Sequence, residues 1–342
     1  MEFLSSYKDG FNFVSKLTPS KIINGLKVMG SYYRSRWTGK VNHKGLPVSM
    51  SVEPTTACNL RCPECPSGLR SFTRDTGALT LDTFKSLIEE LKDQLTYLLL
   101  YFQGEPYLNK NFFDMVKIAS KNKIYTATST NAHYLTPENA EKTVRSGIDR
   151  VIISIDGTTQ EVYQQYRVGG KLEKVIEGTK NLVNARKKLQ SKTPFIIFQF
   201  LVVRPNEHQI DDIKKLAKKL KVDKVAFKSA QIYNYKNGSP LIPENEKYSR
   251  YKKQNDNTYR LKSEPDDSCW KMWHSCVMTW DGKIVPCCFD KDAHHNMGSI
   301  SDQPFKKIWH SKPYNAFRTQ LFESRDQIEI CKNCSEGSKV WV

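Results

Sequence analysis

Cys58-Asn59-Leu60-Arg61-Cys62-Pro63-Glu64-Cys65 sets three thiols within eight residues, directly after an apolar, strand-like run at residues 48–52. Three thiolates on a tight loop can bind three irons of a [4Fe–4S] cube and leave the fourth open to a small molecule, whereas an electron-carrying cube takes four protein cysteines. Zinc also uses Cys-x2-Cys pairs, but a structural zinc needs four ligands, and the sequence offers no fourth nearby.

Outward from this loop the chain alternates short apolar or β-branched runs with helical patterns, the mark of a parallel sheet covered by helices. Strands are predicted at residues 48–52, 97–101, 123–129, 150–154, 195–202 and 224–228, and helices at 81–91, 111–120, 137–146, 172–189 and 210–220. Six such units fit a partial barrel of the (β/α)6, TIM-like kind over residues 47–232, because a full eight-unit barrel typically needs about 250 residues. Residues 233–267 read as a polar linker, residues 268–342 as a small cysteine-rich domain, and residues 1–46 as a basic N-terminal extension. Within that extension, residues 21–29 carry apolar side chains at helical spacing between basic ones, which suits packing on the chain's own domain or a partner and also peripheral contact with a membrane.

The chain has 342 residues, 39% of them hydrophobic and 26% charged, with no long apolar run, so a folded rather than a membrane-spanning or disordered protein is expected. Its start lacks the apolar core and small-residue cleavage site of a secretion signal, which leads us to expect a cytoplasmic location. Nine cysteines in a reducing compartment point to metal ligands rather than disulfides. The net charge of +17 is compatible with a solvated basic surface, an anionic substrate, a membrane or nucleic acid, and does not choose among them.

The Cys-x3-Cys-x2-Cys spacing, with Glu53-Pro54-Thr55-Thr56 before it and Pro66 after it, resembles the cluster loop of the radical S-adenosylmethionine (SAM) superfamily. The resemblance implies that Cys58, Cys62 and Cys65 hold the SAM-cleaving [4Fe–4S] cluster. Gln103-Gly104-Glu105-Pro106 is similar to the superfamily's motif for the amino group of SAM. Ser129-Thr130-Asn131 and Ser154-Ile155-Asp156-Gly157 resemble its ribose and methionine contacts, and Arg167 stands where relatives place a cation near the SAM carboxylate. The activity implied is reductive cleavage of SAM to a 5′-deoxyadenosyl radical that removes hydrogen from an unactivated carbon, fed by an electron donor such as flavodoxin or ferredoxin.

A second set of thiols follows: Cys269, Cys276, Cys287, Cys288, Cys331 and Cys334. Asp281-Gly282 between apolar segments reads as a hairpin turn that returns Cys287 toward Cys269, and the Cys331-x2-Cys334 hook can close a four-thiolate site. This region resembles the auxiliary-cluster extension called SPASM or, in its one-cluster form, Twitch. That resemblance implies one auxiliary [4Fe–4S] cluster on Cys269, Cys287, Cys331 and Cys334, hence two clusters per chain. Cys276 and Cys288 are then left as small buried hydrophobes, a structural zinc site being the competing use of the same thiols.

A cluster with four protein ligands has no open iron and can take an electron from a substrate radical, which favours net oxidation, or dehydrogenation, of a small molecule. A peptide- or protein-modifying enzyme of the sulfatase-maturase or ribosomal-peptide type shares the architecture. A noncatalytic metal-binding nucleic-acid protein would leave the strand-end motifs without a role, so a nucleic-acid partner is not expected. Glu53, His133 and Asp281 are candidate proton acceptors.

Overall fold

The computed structural model describes residues 2–263 and 266–335. Residues 264–265 of the expected linker and 336–342 of the expected C-terminal domain lie outside the described residues. Ten strands occur among the described residues: β1 (Ser49–Val52), β2 (Tyr97–Leu99), β3 (Tyr125–Thr130), β4 (Arg150–Ser154), β5 (Phe195–Val202), β6 (Lys224–Ser229), β7 (Tyr251–Lys253), β8 (Tyr259–Leu261), β9 (Ser275–Met278) and β10 (Ile284–Val285). The first six, with the helices that follow them, are the β/α units of the expected partial barrel. Two compact units are built from separate stretches of chain: residues 2–12, 58–71 and 127–263 form one, and residues 13–57, 72–126 and 266–335 the other.

In the first unit β3, β4, β5 and β6 pair in that order and all parallel, with Thr128 opposite Val151, Val151 opposite Ile196, and Phe198 opposite Val225. Parallel neighbours need crossover connections, which helices Pro137–Arg145, Leu172–Lys188 and Ile210–Leu220 supply. Helices that start on a threonine use it as a cap: Thr136 Oγ1 accepts from Asn139 N at 3.2 Å and Thr159 Oγ1 from Val162 N at 3.5 Å. Phe195–Val202 is an almost unbroken apolar run because it is covered on both faces, as strands of a parallel sheet are.

Residues 233–263 of the stretch expected as a polar linker are built into this unit. β7 and β8 make an antiparallel hairpin with Tyr251 opposite Leu261. The Tyr251 hydroxyl accepts from Ile232 N at 2.8 Å and donates to Ile232 O, while Tyr235 stacks on its ring at 4.5 Å. Ile242 and Tyr251 belong to the core that also holds Leu60 and Cys62. The polar composition hid this because a few buried aromatics carry the packing.

In the second unit β1 lies between β2 and β9 and is parallel to both, with Ser49 opposite Tyr97 and Ser275. β9 turns back as antiparallel β10, Met278 facing Ile284, through a turn in which Gly282 has φ +84°. The hairpin read from Asp281-Gly282 is therefore present. The N-terminal stretch forms two helices, Glu2–Ser15 and Pro19–Thr38, longer than the residues 21–29 expected.

His43 lies in the aromatic core of the second unit, its Nε2 donating to Trp273 O at 2.8 Å and its ring against Trp273, Trp309 and His310. Burial, with the nearby Arg318 guanidinium adding to it, pulls its pKa down to about 2. The unfolded chain therefore binds a proton that the folded one does not, so this stabilising contribution is complete above about pH 6.5 and falls as pH drops toward the folded value. Urea unfolding of wild type and His43→Asn should show their stability difference shrinking by about 2 kcal/mol between pH 7.5 and pH 5. A pH-independent difference would mean that His43 is not held neutral.

Candidate functional site

The link from β1 to the cysteine loop is held by backbone contacts in the second unit. Gly104 has φ +73°, and a Cβ added there would sit 2.2 Å from Thr55 O and 2.8 Å from Ala57 O. No other residue fits, and close approach of two backbones is the reason. Beside it Glu105 N donates to Ala57 O at 2.7 Å, Thr56 N donates to Gly77 O at 3.0 Å, and Asn109 Nδ2 donates to Pro54 O at 2.6 Å. Gln103 and Glu105 are both buried. Glu105 Oε1 accepts from Tyr107 N at 3.4 Å, capping the turn Pro106–Leu108.

Glu53, at the foot of this link, is fully buried and pairs through both oxygens with Arg74, at 2.7 and 2.9 Å, while Trp280 N donates to it at 3.2 Å. Burial pushes its pKa up and Arg74 opposes this. Glu53, a candidate proton acceptor by sequence, is held here by Arg74 and Trp280 N. His133 is also engaged: Nδ1 lies 3.0 Å from Asn131 O and Nε2 accepts from Lys171 N at 2.9 Å. Asp281 is spent on its turn, accepting from Thr279 Oγ1 and pairing with Lys283 at 2.8 Å.

In the first unit Cys62 belongs to an apolar cluster with Leu60, Tyr166 and Val203, and Cys58 and Cys65 pack against it. The short helix Pro66–Leu69 starts on the residue after Cys65, and a Cβ on Gly68 would meet Cys62 N at 2.5 Å, so the loop closes tightly on itself. Asn131 Nδ2 donates to Asn59 Oδ1 at 2.8 Å and Arg61 N to Val168 O at 2.9 Å, joining the loop to the segments after β3 and β4. The Ser129 and Ser154 hydroxyls lie 3.5 Å apart.

Arg167 donates through Nε to Asp156 and through Nη1 to Cys62 Sγ at 3.7 Å. Asp156 is fully buried, its other oxygen accepting from Leu201 N at 2.7 Å, and Asn206 Nδ2 donates to its main-chain oxygen at 3.0 Å. The Asp156 carboxylate, expected as a SAM contact, bonds Arg167 and Leu201 N in the folded chain. Burial pushes the Cys62 thiol up, and the Arg167 charge opposes it.

The second unit gathers the other thiols. Cys269 has Cys287, Cys331 and Cys334 as electrostatic neighbours. Burial raises the Cys269 thiol and takes Cys331 to about 11, Arg325 opposing both. Arg325 is almost wholly buried, donating to Ser268 O at 2.7 Å and to Cys334 Sγ at 3.6 Å. Lys271 Nζ is 3.2 Å from Cys288 Sγ. Cys276 stands apart on β9, buried beside Arg318 and Tyr314. Sequence reading missed Arg74, Arg325 and Asn206, whose partners are distant in the chain and leave no periodic signal.

These donor sets fit iron–sulfur groups. All nine cysteines are free thiols, and cations lie beside both sets, as anionic thiolate ligands favour. Among the described residues no three His, Cys, Asp or Glu side chains are disposed to share a single metal ion. The thiolates of a cube each bind a different iron and need not converge in that way.

Comparison with known proteins agrees with this chemistry. The family model of the radical SAM superfamily matches residues 52–217, and that of the iron–sulfur cluster-binding SPASM domain matches residues 269–335. The chain belongs to the radical SAM superfamily and carries a C-terminal SPASM-type domain, so its cofactors are SAM, a SAM-cleaving [4Fe–4S] cluster and auxiliary iron–sulfur. It is 32% identical to a mycofactocin maturase of Mycolicibacterium smegmatis over 50% of this chain, a match that spans only 42% of that relative. It is 25% identical to the tungsten-containing aldehyde ferredoxin oxidoreductase cofactor-modifying protein of Pyrococcus furiosus, over 83% of this chain and 86% of that one. The crystal structure of BtrN with AdoMet and 2-DOIA shares the fold at TM-score 0.54 and 21% identity, covering 86% of this chain and 94% of that one.

Removing one member of a buried ion pair strands the other charge, whereas removing both is far milder. Arg74→Met should therefore lower stability by about 3 kcal/mol or more, and Glu53→Gln with Arg74→Met should recover most of the loss in urea unfolding. Additive losses would show that the pair is not coupled.

Proposed function

We propose that this enzyme carries out a net two-electron oxidation, with Cys58, Cys62 and Cys65 holding the SAM-cleaving cluster and Cys269, Cys287, Cys331 and Cys334 holding one auxiliary [4Fe–4S] cluster. When bound, SAM and the first cluster would supply reductive cleavage and hydrogen-atom abstraction, and an auxiliary cluster on Cys269, Cys287, Cys331 and Cys334 would supply the acceptor for the second electron, the accompanying proton passing to solvent. The observation that carries this reading is the grouping of Cys287, Cys331 and Cys334 about Cys269 with the buried Arg325 beside them. Four protein thiolates leave no open metal position, so such a site accepts electrons rather than substrate.

The remaining roles belong to the chain's own groups. Gly104 lets the backbone at Gln103 and Glu105 lie against Thr55–Ala57 main chain, and the Glu105 carboxylate suits an ammonium such as that of SAM. Asp156, itself fixed by Leu201 N and Asn206, aims the Arg167 guanidinium at Cys62 Sγ, where it stabilises thiolate charge and can also meet a carboxylate. Ser129, Asn131 and Ser154 supply small polar groups at strand ends for a ribose or methionine. Because ligation needs thiolates, loading both sites releases protons.

A second reading, maturation of a peptide or of another enzyme's cofactor, is favoured by the mycofactocin maturase and the cofactor-modifying protein among the relatives. In either case a cytoplasmic enzyme drawing electrons from a flavodoxin or ferredoxin is expected.

Replacing Cys58, Cys62 or Cys65 by Ala should reduce 5′-deoxyadenosine formation from SAM under dithionite by about a hundredfold or more. Cys331→Ala should keep that cleavage within about tenfold of wild type while losing the auxiliary cluster's signal in electron paramagnetic resonance. Cleavage surviving in the first group would contradict the assignment of that loop, and an unchanged signal in the second would remove Cys331 from the ligand set.

A further inference from the structure

Helix Pro19–Thr38 is buried on one face and apolar on the opposite, exposed face. The inward residues are Lys21, Asn24, Val28, Ser31, Tyr32 and Ser35. They are pinned by specific contacts: Asn24 exchanges two hydrogen bonds with the Leu46 main chain at 2.8 and 2.9 Å, and Trp273 Nε1 donates to Ser31 Oγ at 2.9 Å. Tyr32 packs edge-on to Trp270 and Trp273, at 5.3 and 5.7 Å. The outward face carries Ile22 (48% exposed), Ile23 (52%), Leu26 (58%), Tyr33 (46%) and Trp37 (89%). At 3.6 residues per turn these five fall within about 100° of one another, which makes a continuous stripe rather than scattered surface hydrophobes.

The polar residues bordering the stripe are basic. Lys27 and Arg34, both exposed, run along one side, and Arg36 stands on the other, paired with Asp266 at 2.9 Å. The helix contains no aspartate or glutamate, in a chain whose net charge is +17. No helix among the described residues is long and apolar enough to cross a membrane. An apolar stripe edged by cations, lacking carboxylates and ending on an exposed tryptophan complements a surface that is apolar beneath and anionic above.

We propose that the exposed face of helix Pro19–Thr38 is a docking surface for an anionic lipid bilayer, on which the helix lies in the interfacial plane. Ile22, Leu26, Tyr33 and Trp37 enter the headgroup–acyl boundary, while Lys27 and Arg34 meet lipid phosphates. The helix does not contribute any of the proposed cluster ligands, so the inference stands apart from the assigned chemistry.

The test is co-sedimentation of the full chain with phosphatidylglycerol–phosphatidylcholine vesicles and with phosphatidylcholine alone. Wild type should pellet with the anionic vesicles, lose binding as salt rises, and stay in solution with the neutral ones. Leu26→Ser with Trp37→Ser, or Ile22→Ser with Tyr33→Ser, should weaken binding by about tenfold or more, with circular dichroism unchanged because these side chains are exposed. Lys27→Glu with Arg34→Glu should abolish the preference for anionic vesicles. Three results would overturn the proposal: wild type remaining soluble with both vesicle types, serine variants that bind as wild type does, or a wild-type dimer that the serine variants convert to monomer without any vesicle binding.

Discussion

There is no room for a side chain at residue 104: Thr55 O stands 2.2 Å from where its Cβ would be. That approach brings the segment after β2 onto the link between β1 and Cys58, and Glu105 N and Asn109 Nδ2 then bond to that link's carbonyls. A cysteine loop delivered by a slack tether would have to order itself at each loading, at a conformational cost of about 1–2 kcal/mol per residue. Here the segment entering the loop is already fixed by main-chain hydrogen bonds and by the Glu53–Arg74 pair at the end of β1. The segment that leads to Cys58 is thus ordered by the folded backbone of the second unit.

The two thiol sets share one electrostatic device. Arg167 donates to Cys62 Sγ, and Arg325 donates to Cys334 Sγ, each guanidinium being largely buried and held by further oxygens. A thiol out of water resists ionisation, and a fixed cation alongside lowers that resistance without a mobile counterion. Arginine suits the task because its charge persists under burial and its planar donors can serve a carboxylate or carbonyl and a sulfur at once. The sites are therefore poised for anionic ligation, with Cys62, Cys269 and Cys334 buried and the other proposed ligands half-buried.

Much of this was legible in the chain because parallel α/β structure writes itself as period. The runs at 150–154 and 195–202 coincide with β4 and β5, and the patterns at 81–91 and 210–220 coincide with their helices, since strand and helix repeats in covered layers are strong signals. The cysteine spacings and Asp281-Gly282 were equally plain, being short and local. What escaped were long-range polar commitments. Asp156 has Leu201, Asn206 and Arg167 on it, partners that no local spacing announces. Arg74 belongs to Glu53, and Arg325 to Ser268 and Cys334, through pairings that obey no repeat. Tyr251 anchors a hairpin inside a stretch whose average polarity suggests none. In helix Pro19–Thr38 the inward face is partly polar and the outward face apolar, so its periodicity announced a helix without saying which side meets solvent.

We propose that each of the two thiol sets holds one iron–sulfur cluster. The most direct measurement is iron, acid-labile sulfide and zinc per chain after anaerobic reconstitution of the full-length protein. About eight irons, about eight sulfides and no zinc are expected. About four irons with one zinc would contradict it, making the C-terminal thiols a structural site and leaving the proposed oxidation without its electron acceptor.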